Sequence, residues 1–236
     1  MRTGTLTLAN YRRMIAARGP RFAWEFFREA HLFDIRYRTD TASELAREDF
    51  DSSLAGIEHG VYYGASWTSE VRRQFADLRV RLGADFAAHS LVDVGCGKGK
   101  VVLVWGRELL RSEISQKVVG IDYYQPLITV ARENLRRVPH VEGTVFWCGD
   151  VRDFDYASLG TPLIMWAFNP FDAHVFHGLA SRLTAVPTIL VYNNPVHLSE
   201  LIDDGWRLLW ETASPASNHP RTRTAVLCNA AHPRFT

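Results

Sequence analysis

The feature that most constrains the fold is a glycine-rich turn that follows a short apolar run. Residues 91–100 read LVDVGCGKGK, so Gly95, Gly97 and Gly99 alternate where a strand pattern gives way to a helical one. Because glycine has no Cβ, the backbone of such a turn can approach a ligand closely. The pattern predicts a ligand-binding loop of a kind that dinucleotide and phosphate sites also use.

Strand and helix patterns alternate on both sides of this turn. The run from Leu163 to Trp166 is continuously apolar, as expected of a strand buried on both faces. These patterns predict an α/β fold, a doubly wound seven-stranded mixed sheet with an antiparallel ending. The strands are predicted at residues 91–94, 117–122, 143–148, 162–168, 188–192, 206–212 and 224–228, and the helices at residues 98–111, 125–137, 173–183 and 196–203.

The chain before residue 68 has a different character. Residues 8–35 are rich in arginine and aromatic residues, with Gly19-Pro20 between two helix-like stretches. Residues 38–67 are polar and end in the glycine-bounded aromatic segment HGVYYGASW, which we interpret as a loop or lid. A helix is predicted at residues 68–82. We therefore divide the chain into an N-terminal helical cap and lid over residues 1–67 and a ligand-binding domain over residues 68–236.

Composition argues against several functional classes. The formal net charge is +1, so no overall field draws the chain to nucleic acid or to an anionic membrane. No run approaches the roughly 18 apolar residues of a membrane span. The three cysteines lack metal-ligand spacing, which predicts reduced thiols and a cytoplasmic protein. The N-terminal arginines are typical of a solvated helix face, although a local basic patch stays open: Arg12, Arg13, Arg18, Arg21 and Arg28.

Three acidic residues sharpen the interpretation of the glycine turn. Its spacing is GxGxG rather than the GxGxxG of dinucleotide binders, and Asp93 lies inside the strand. An acid there suits a cationic ligand better than a pyrophosphate, although a purely structural role is also open. Asp122 ends the second strand, where doubly wound folds place an acceptor for ribose hydroxyls. Asp150 ends the third strand, where a carboxylate can accept from an adenine amino group; helix capping is the plainer role for both.

The order of these motifs resembles the class I S-adenosylmethionine-dependent methyltransferase family, which is seven-stranded and Rossmann-like. The resemblance covers residues 69–228 and implies S-adenosyl-L-methionine as the cofactor. It implies that Asp122 holds the ribose, Asp150 the adenine beside Val151, and Gly95 and Gly97 the methionine end. The full set of expected cofactor residues is Asp93, Gly95, Cys96, Gly97, Asp122, Tyr123, Asp150, Val151 and Asn169.

The end of the fourth strand, in this family, faces the transferred methyl group. The segment Asn169-Pro170-Phe171 is similar to the NPPY or NPPF motif of N-methyltransferases but lacks the second proline, so that substrate class is not carried over. Metal-dependent catechol-type relatives place carboxylates where this chain has Asn169 and Asn193-Asn194. Because a hard divalent ion needs such carboxylates, we predict no metal.

Methyl transfer from a sulfonium mainly requires positioning and exclusion of water. Asn169, Phe171 and His197 are the catalytic candidates, with Asp172, His174 and His177 as weaker ones that also suit structural roles. The lid aromatics are expected to cover the cofactor or substrate and to present ring faces to the sulfonium, with packing on the core as the alternative: Tyr62, Tyr63 and Trp67.

The predicted function is transfer of a methyl group to an N or O atom of a small-molecule acceptor, independent of metal. A nicotinamide-dependent oxidoreductase would leave Asp93 and the Gly149-Asp150 pair unexplained. A protein or peptide acceptor and a non-catalytic cofactor-binding module remain as alternatives, because a fold alone does not establish activity. No nucleic-acid or membrane partner is expected, and the sequence does not indicate the oligomeric state.

Overall fold

A seven-stranded sheet forms the centre of the computed structural model, which describes residues 7–43, 59–60, 63–160, 162–213 and 222–235. The first five strands run parallel, and the last strand pairs antiparallel with both of its neighbours. The sheet order is β3-β2-β1-β4-β5-β7-β6. The strands are β1 Ser90–Val94, β2 Val118–Asp122, β3 Thr144–Cys148, β4 Leu163–Phe168, β5 Thr188–Asn193, β6 Arg207–Thr212 and β7 Thr224–Cys228. The predicted mixed α/β sheet with its antiparallel ending is confirmed.

Helices connect the parallel strands, and two more precede the sheet. Short 3-10 turns lie at Gly83–Ala88, Tyr156–Leu159 and Pro233–Phe235. The helices are α1 Leu8–Tyr37, α2 Thr68–Leu82, α3 Lys100–Arg111, α4 Gln125–Leu135, α5 Ala173–Arg182 and α6 Leu198–Asp203. None of the helices in the described ranges is long and apolar enough to cross a membrane.

The strands are apolar throughout because the sheet has a core on each face. Successive residues of a strand point to opposite faces, so Ile164 and Trp166 join one buried cluster while Leu163 and Met165 join the other. Trp105 of α3 meets Trp166 edge-on in the first cluster, with ring centroids 6.1 Å apart. Burial on both sides accounts for the uninterrupted apolar runs of the sequence.

The N-terminal helix α1 bends at the predicted glycine. Gly19 adopts φ 83° and ψ 165°, which breaks α1 into two helical halves before Pro20. The Tyr11 ring contacts those of Phe27 and His31, so the two halves pack against each other. Phe33 reaches the same buried cluster as the sheet, and α1 therefore shares the core of the main domain. The division of the chain at residue 67 stays a prediction.

The strand order fixes where a ligand can bind. β1 pairs with β2 on one side and with β4 on the other, so the chain winds in opposite directions from these neighbours. In doubly wound sheets a crevice opens at this point, outside the carboxyl ends of the strands. The loops after β1, β2 and β4 meet there.

Candidate cofactor and acceptor site

The loop after β1 is built on left-handed glycines. Gly95, Gly97 and Gly99 have φ of 70°, 52° and 84°, a region that side chains with a Cβ rarely adopt. The N–H groups of Gly95 and Cys96 donate to the Ile121 carbonyl oxygen at 2.8 and 2.9 Å. The loop is therefore bound to the end of β2.

Neighbouring side chains lie against the glycines of this loop. A Cβ added at Gly95 would lie 2.2 Å from the Pro170 Cβ, and one at Gly97 would lie 2.1 Å from the Tyr63 Cε2. Tyr63 is buried, and its hydroxyl donates to the Thr41 carbonyl oxygen at 2.7 Å. The structure thus places Tyr63 over the glycine loop, where a lid residue was expected.

Asp122 joins this loop to β2 through its side chain. Its Oδ2 accepts from the Gly97 N–H at 2.8 Å and its Oδ1 from the Tyr124 N–H at 2.9 Å. Burial raises the pKa of Asp122 to about 6, against the lowering effect of the two hydrogen bonds. Each carboxylate oxygen has a second lone pair, so both keep the capacity to accept from a ligand hydroxyl.

Asp93 lies deeper, in the middle of the sheet. It pairs with Gly120 of β2 and Trp166 of β4 in strand register and is 3% exposed. Burial, and then the nearby charge of Asp122, raises the pKa of Asp93 well above its ordinary value. Cys96 is also buried, and the same causes raise the pKa of its thiol, so it contributes its backbone to the loop rather than a reactive thiolate.

Asp150 follows β3 and has a local partner. Its Oδ1 accepts from the Arg152 N–H and Nε, and its Oδ2 accepts from the Arg152 Nη2 at 2.6 Å. These bonds with Arg152 lower the pKa of Asp150 even though burial opposes them. Val151 is buried in the core and its carbonyl oxygen accepts from the Tyr156 hydroxyl at 2.8 Å. Asp150 therefore stays ionised, with room on Oδ2 for one further donor.

A hydrogen-bonded chain links the ends of β4 and β5. Asn169 adopts a left-handed φ of 40°, and its Oδ1 accepts from the Tyr192 hydroxyl at 3.0 Å. The same hydroxyl accepts from the His197 N–H at 3.2 Å. The His197 Nδ1 lies 3.2 Å from Glu200 Oε1. Two of the three catalytic candidates are thus brought together by Tyr192, which the sequence analysis did not single out.

Two aromatic candidates are placed differently from expectation. Phe171 is 7% exposed and packs its ring 4.5 Å from that of Phe176, because the turn after Pro170 directs it into the core. Trp67 is 1% exposed at the start of α2, where its ring is enclosed. Both side chains are thus buried in the core, which for Trp67 is the alternative of packing on the core, and the catalytic role of Phe171 stays a prediction. Tyr62 lies outside the described residues.

Residues 40–43 of the N-terminal cap form hydrogen bonds with Lys98 of the glycine loop and with Asn134 of α4. The sequence analysis missed these contacts. The Lys98 Nζ donates to Asp40 Oδ2 at 3.1 Å and to the Ser43 carbonyl oxygen at 3.0 Å. The Asn134 Nδ2 donates to the carbonyl oxygens of Asp40 and Lys98, both at 3.1 Å. The only sequence feature that could have indicated these contacts was the lysine inside the glycine motif.

A second missed feature is an imidazole and carboxylate pair beside the end of β4. The His59 Nδ1 lies 2.7 Å from Asp172 Oδ2, and the Asp172 N–H donates to the His59 carbonyl oxygen at 3.0 Å. Gly60 pairs with Phe171 in a β-bridge. Burial raises the pKa of Asp172, but the hydrogen bonds from His59 and from the Val175 N–H outweigh it and hold the pKa below its usual value. Such a pair can orient a proton acceptor.

The remaining histidine candidates lie outside this pair. The His174 ring is exposed, with its centroid 5.1 Å from that of His59. The His177 Nδ1 contacts Asp204 Oδ1 at 2.8 Å on the surface. Among the described residues, no group of three or more His, Cys, Asp or Glu side chains is arranged to hold a metal ion.

A comparison with known protein families indicates which kind of domain carries this site. A family model described as a methyltransferase domain matches residues 92–175, which span the glycine loop, Asp122, Asp150 and the end of β4. These residues of the chain therefore form a methyltransferase domain, and its cofactor is S-adenosyl-L-methionine. A comparison with curated proteins finds no match to the chain.

The chain is also similar, at low sequence identity, to several solved structures. The magnesium protoporphyrin IX methyltransferase of Synechocystis PCC 6803 with bound SAM is 15% identical, over 88% of this chain and 94% of that chain, with a TM-score of 0.44. A Thermoplasma acidophilum protein is 15% identical over 68% and 93%, with a TM-score of 0.43. A SAM-dependent methyltransferase of Methanosarcina mazei is 15% identical over 59% and 90%, with a TM-score of 0.41. These distant likenesses carry no information on the acceptor.

The contact between Gly97 and Tyr63 predicts a specific loss of stability. Gly97→Ala is expected to destabilise the methyltransferase by more than the roughly 1 to 2 kcal/mol of a left-handed alanine, because the new Cβ meets the Tyr63 ring. Gly160→Ala is the matched control, since Gly160 has φ of 70° and nothing within 4 Å of an added Cβ. Urea unfolding of both variants measures the difference, and equal losses would contradict the packing of Tyr63 on the loop.

The raised pKa of Asp122 predicts a pH-dependent affinity. If the carboxylate accepts from the ribose, protonation below a pKa of about 6 removes an acceptor and weakens binding of S-adenosylhomocysteine. Affinity is expected to be level above pH 7 and to fall by up to about tenfold per pH unit below pH 6. Calorimetric titration checks this, with Asp122→Asn expected to abolish the pH dependence. An unchanged profile in that variant would remove the ribose assignment.

Proposed function

We propose that the chain transfers the methyl group of S-adenosyl-L-methionine to an N or O atom of a small-molecule acceptor by in-line displacement, without a metal. The observation that carries this is the covered carboxyl edge of the sheet. Gly60 pairs with Phe171 after β4, and the Tyr63 ring lies on Gly97 after β1. A covered edge favours an enclosed acceptor over a protein or peptide, which is the alternative together with a non-catalytic module.

The cofactor assignment follows the three loops at this edge. We place the methionine end at Gly95 and Gly97, the ribose at Asp122 and the adenine at Asp150. The support for the ribose position is that Asp122 lies between the glycine loop and β2 and keeps acceptor capacity on both oxygens. We propose the other expected cofactor residues for the same site, since each lies in or shortly after one of the first four strands: Asp93, Cys96, Tyr123, Val151 and Asn169. We keep the cytoplasm as the expected compartment, since all three cysteines are free thiols.

We propose that His59 takes the proton from the atom that receives the methyl group, when that atom must lose a proton in the reaction. Asp172 holds the imidazole through Nδ1, which favours the tautomer with the proton on Nδ1 and the lone pair on Nε2. The pair lies directly after Asn169 and Pro170, where the class presents the methyl group. His197 instead bonds through its N–H to Tyr192, and we propose that it supports Asn169 rather than taking the proton.

The cofactor is tested by calorimetric titration of the full chain with S-adenosylmethionine, S-adenosylhomocysteine, NAD and NADP. Micromolar binding of the first two alone is the expected result, because the GxGxG turn with Asp93 and Asp122 suits them. Transfer is tested with radiolabelled S-adenosylmethionine and an extract divided by ultrafiltration. Label in the small-molecule fraction supports the proposal, label in protein supports the peptide alternative, and cofactor binding without transfer to either supports the non-catalytic module.

The role of His59 predicts a split between binding and turnover. His59→Ala is expected to lower kcat by about 100-fold or more in that transfer assay while leaving the Kd for S-adenosylhomocysteine unchanged. Asp172→Asn should lower kcat as well, although asparagine still caps α5 in place of the Asp172 Oδ1 that accepts from the Val175 N–H. His177→Ala is the control with normal kcat, since His177 contacts Asp204 on the surface. Equal losses in His59→Ala and His177→Ala would reject the assignment.

A further inference from the structure

The second half of α1 carries an outward face that the cofactor site does not use. Arg21, Trp24, Arg28, Leu32 and Ile35 follow each other at intervals of three or four residues, so they share one side of the helix. Trp24, Leu32 and Ile35 are 63%, 49% and 57% exposed. We call these five residues the α1 stripe. It combines two cationic and three apolar side chains over about 20 Å.

Positive charges outnumber negative ones around the α1 stripe. Residues 7–43 contain seven arginines against four acidic residues. Three of these acids accept hydrogen bonds within the protein. Glu29 accepts from Arg28 and the Ser69 N–H, Asp34 from the backbone and hydroxyls of residues 39–42, and Asp40 from Lys98. The outer surface of the cap is therefore locally basic although the whole chain is near neutral.

Packing against neighbouring side chains holds the α1 stripe in its outward orientation. Trp24 stacks on Phe27 with ring centroids 5.6 Å apart and 19° between the planes. Phe33, on the other side of the same helix, is buried in the core of the sheet. The exposed side chains therefore cannot turn inward without unpacking this core. The first half of α1 repeats the pattern with Leu8, Arg12 and Ile15, all exposed.

We propose that the α1 stripe docks the protein on the surface of an anionic lipid bilayer. A helix that lies in the bilayer interface buries tryptophan and aliphatic side chains among the acyl chains while arginines reach the headgroups. A second copy of the chain fits less well, since a two-fold contact centred on the stripe would bring the two Arg28 side chains against each other and Arg21 against Ile35. Nucleic acid would pair with the arginines but would leave Leu32 and Ile35 uncovered.

The test is sedimentation of the full chain with vesicles. We expect binding to vesicles of phosphatidylcholine with about a third phosphatidylserine, weaker binding in high salt, and little binding to phosphatidylcholine alone. Arg36 is exposed beside Ile35 and is changed in place of Arg28, which pairs with the buried Glu29. The double variants Trp24→Ser with Ile35→Ser, and Arg21→Gln with Arg36→Gln, should each lower the partition coefficient about tenfold or more. Both are expected to keep the wild-type affinity for S-adenosylhomocysteine, which shows that they fold.

Matched controls carry the same changes on other helices. Val80→Ser with Leu110→Ser alters apolar residues that are 84% and 41% exposed, and Arg136→Gln with Arg182→Gln alters exposed arginines. These controls should bind vesicles like the wild type. The proposal is overturned if vesicles do not bind or bind regardless of charge. It is also overturned if the stripe variants instead dissociate a dimer in sedimentation equilibrium, or if they lose only duplex DNA binding in fluorescence anisotropy.

Discussion

The hydrogen bond from the Gly97 N–H to the Asp122 carboxylate holds together the two strand ends on which the cofactor site depends. It fixes a loop whose glycines occupy left-handed conformations and whose backbone lies against Tyr63 and Pro170. Since burial already raises the pKa of Asp122, its charged form relies on the N–H groups of Gly97 and Tyr124. The residue that orders the loop is thus the same residue that we propose as the acceptor for the ribose hydroxyls.

The N-terminal cap is part of this arrangement rather than an appendage. Lys98 lies inside the glycine motif, yet its ammonium is buried against Asp40 and Ser43 of the cap. Burying a charge is costly unless it is paired and hydrogen-bonded, so the cap and the loop stabilise each other. Lys100 is also buried beneath α1, with its Nζ 4.6 Å from the centre of the Phe33 ring, and burial lowers its pKa to about 8.

The proposed acceptor side of the site is assembled from distant parts of the chain. Asn169 and His197 meet through the Tyr192 hydroxyl, while His59 reaches Asp172 across 113 residues of sequence. The cap therefore contributes to the acceptor side as well as to the glycine loop. The outward face of the same cap is basic and apolar, which would allow one element to complete the site on its inner face and contact a lipid surface on its outer face.

The fold class and the glycine-rich loop could be predicted from the sequence alone. Apolar runs, helical spacing and the glycines encode local backbone geometry, and the observed strands differ from the predicted ones by one residue at most at either end. The break at Gly19 and the strand-end acids Asp122 and Asp150 were likewise visible in local patterns. The sequence did not predict the burial of Phe171 and Trp67, which is seen only in the folded structure. The same holds for the contact of Asp40 with Lys98 and for that of His59 with Asp172. Periodicity records which side of an element is apolar, whereas contacts between distant segments depend on how the elements pack, and that packing leaves no local pattern.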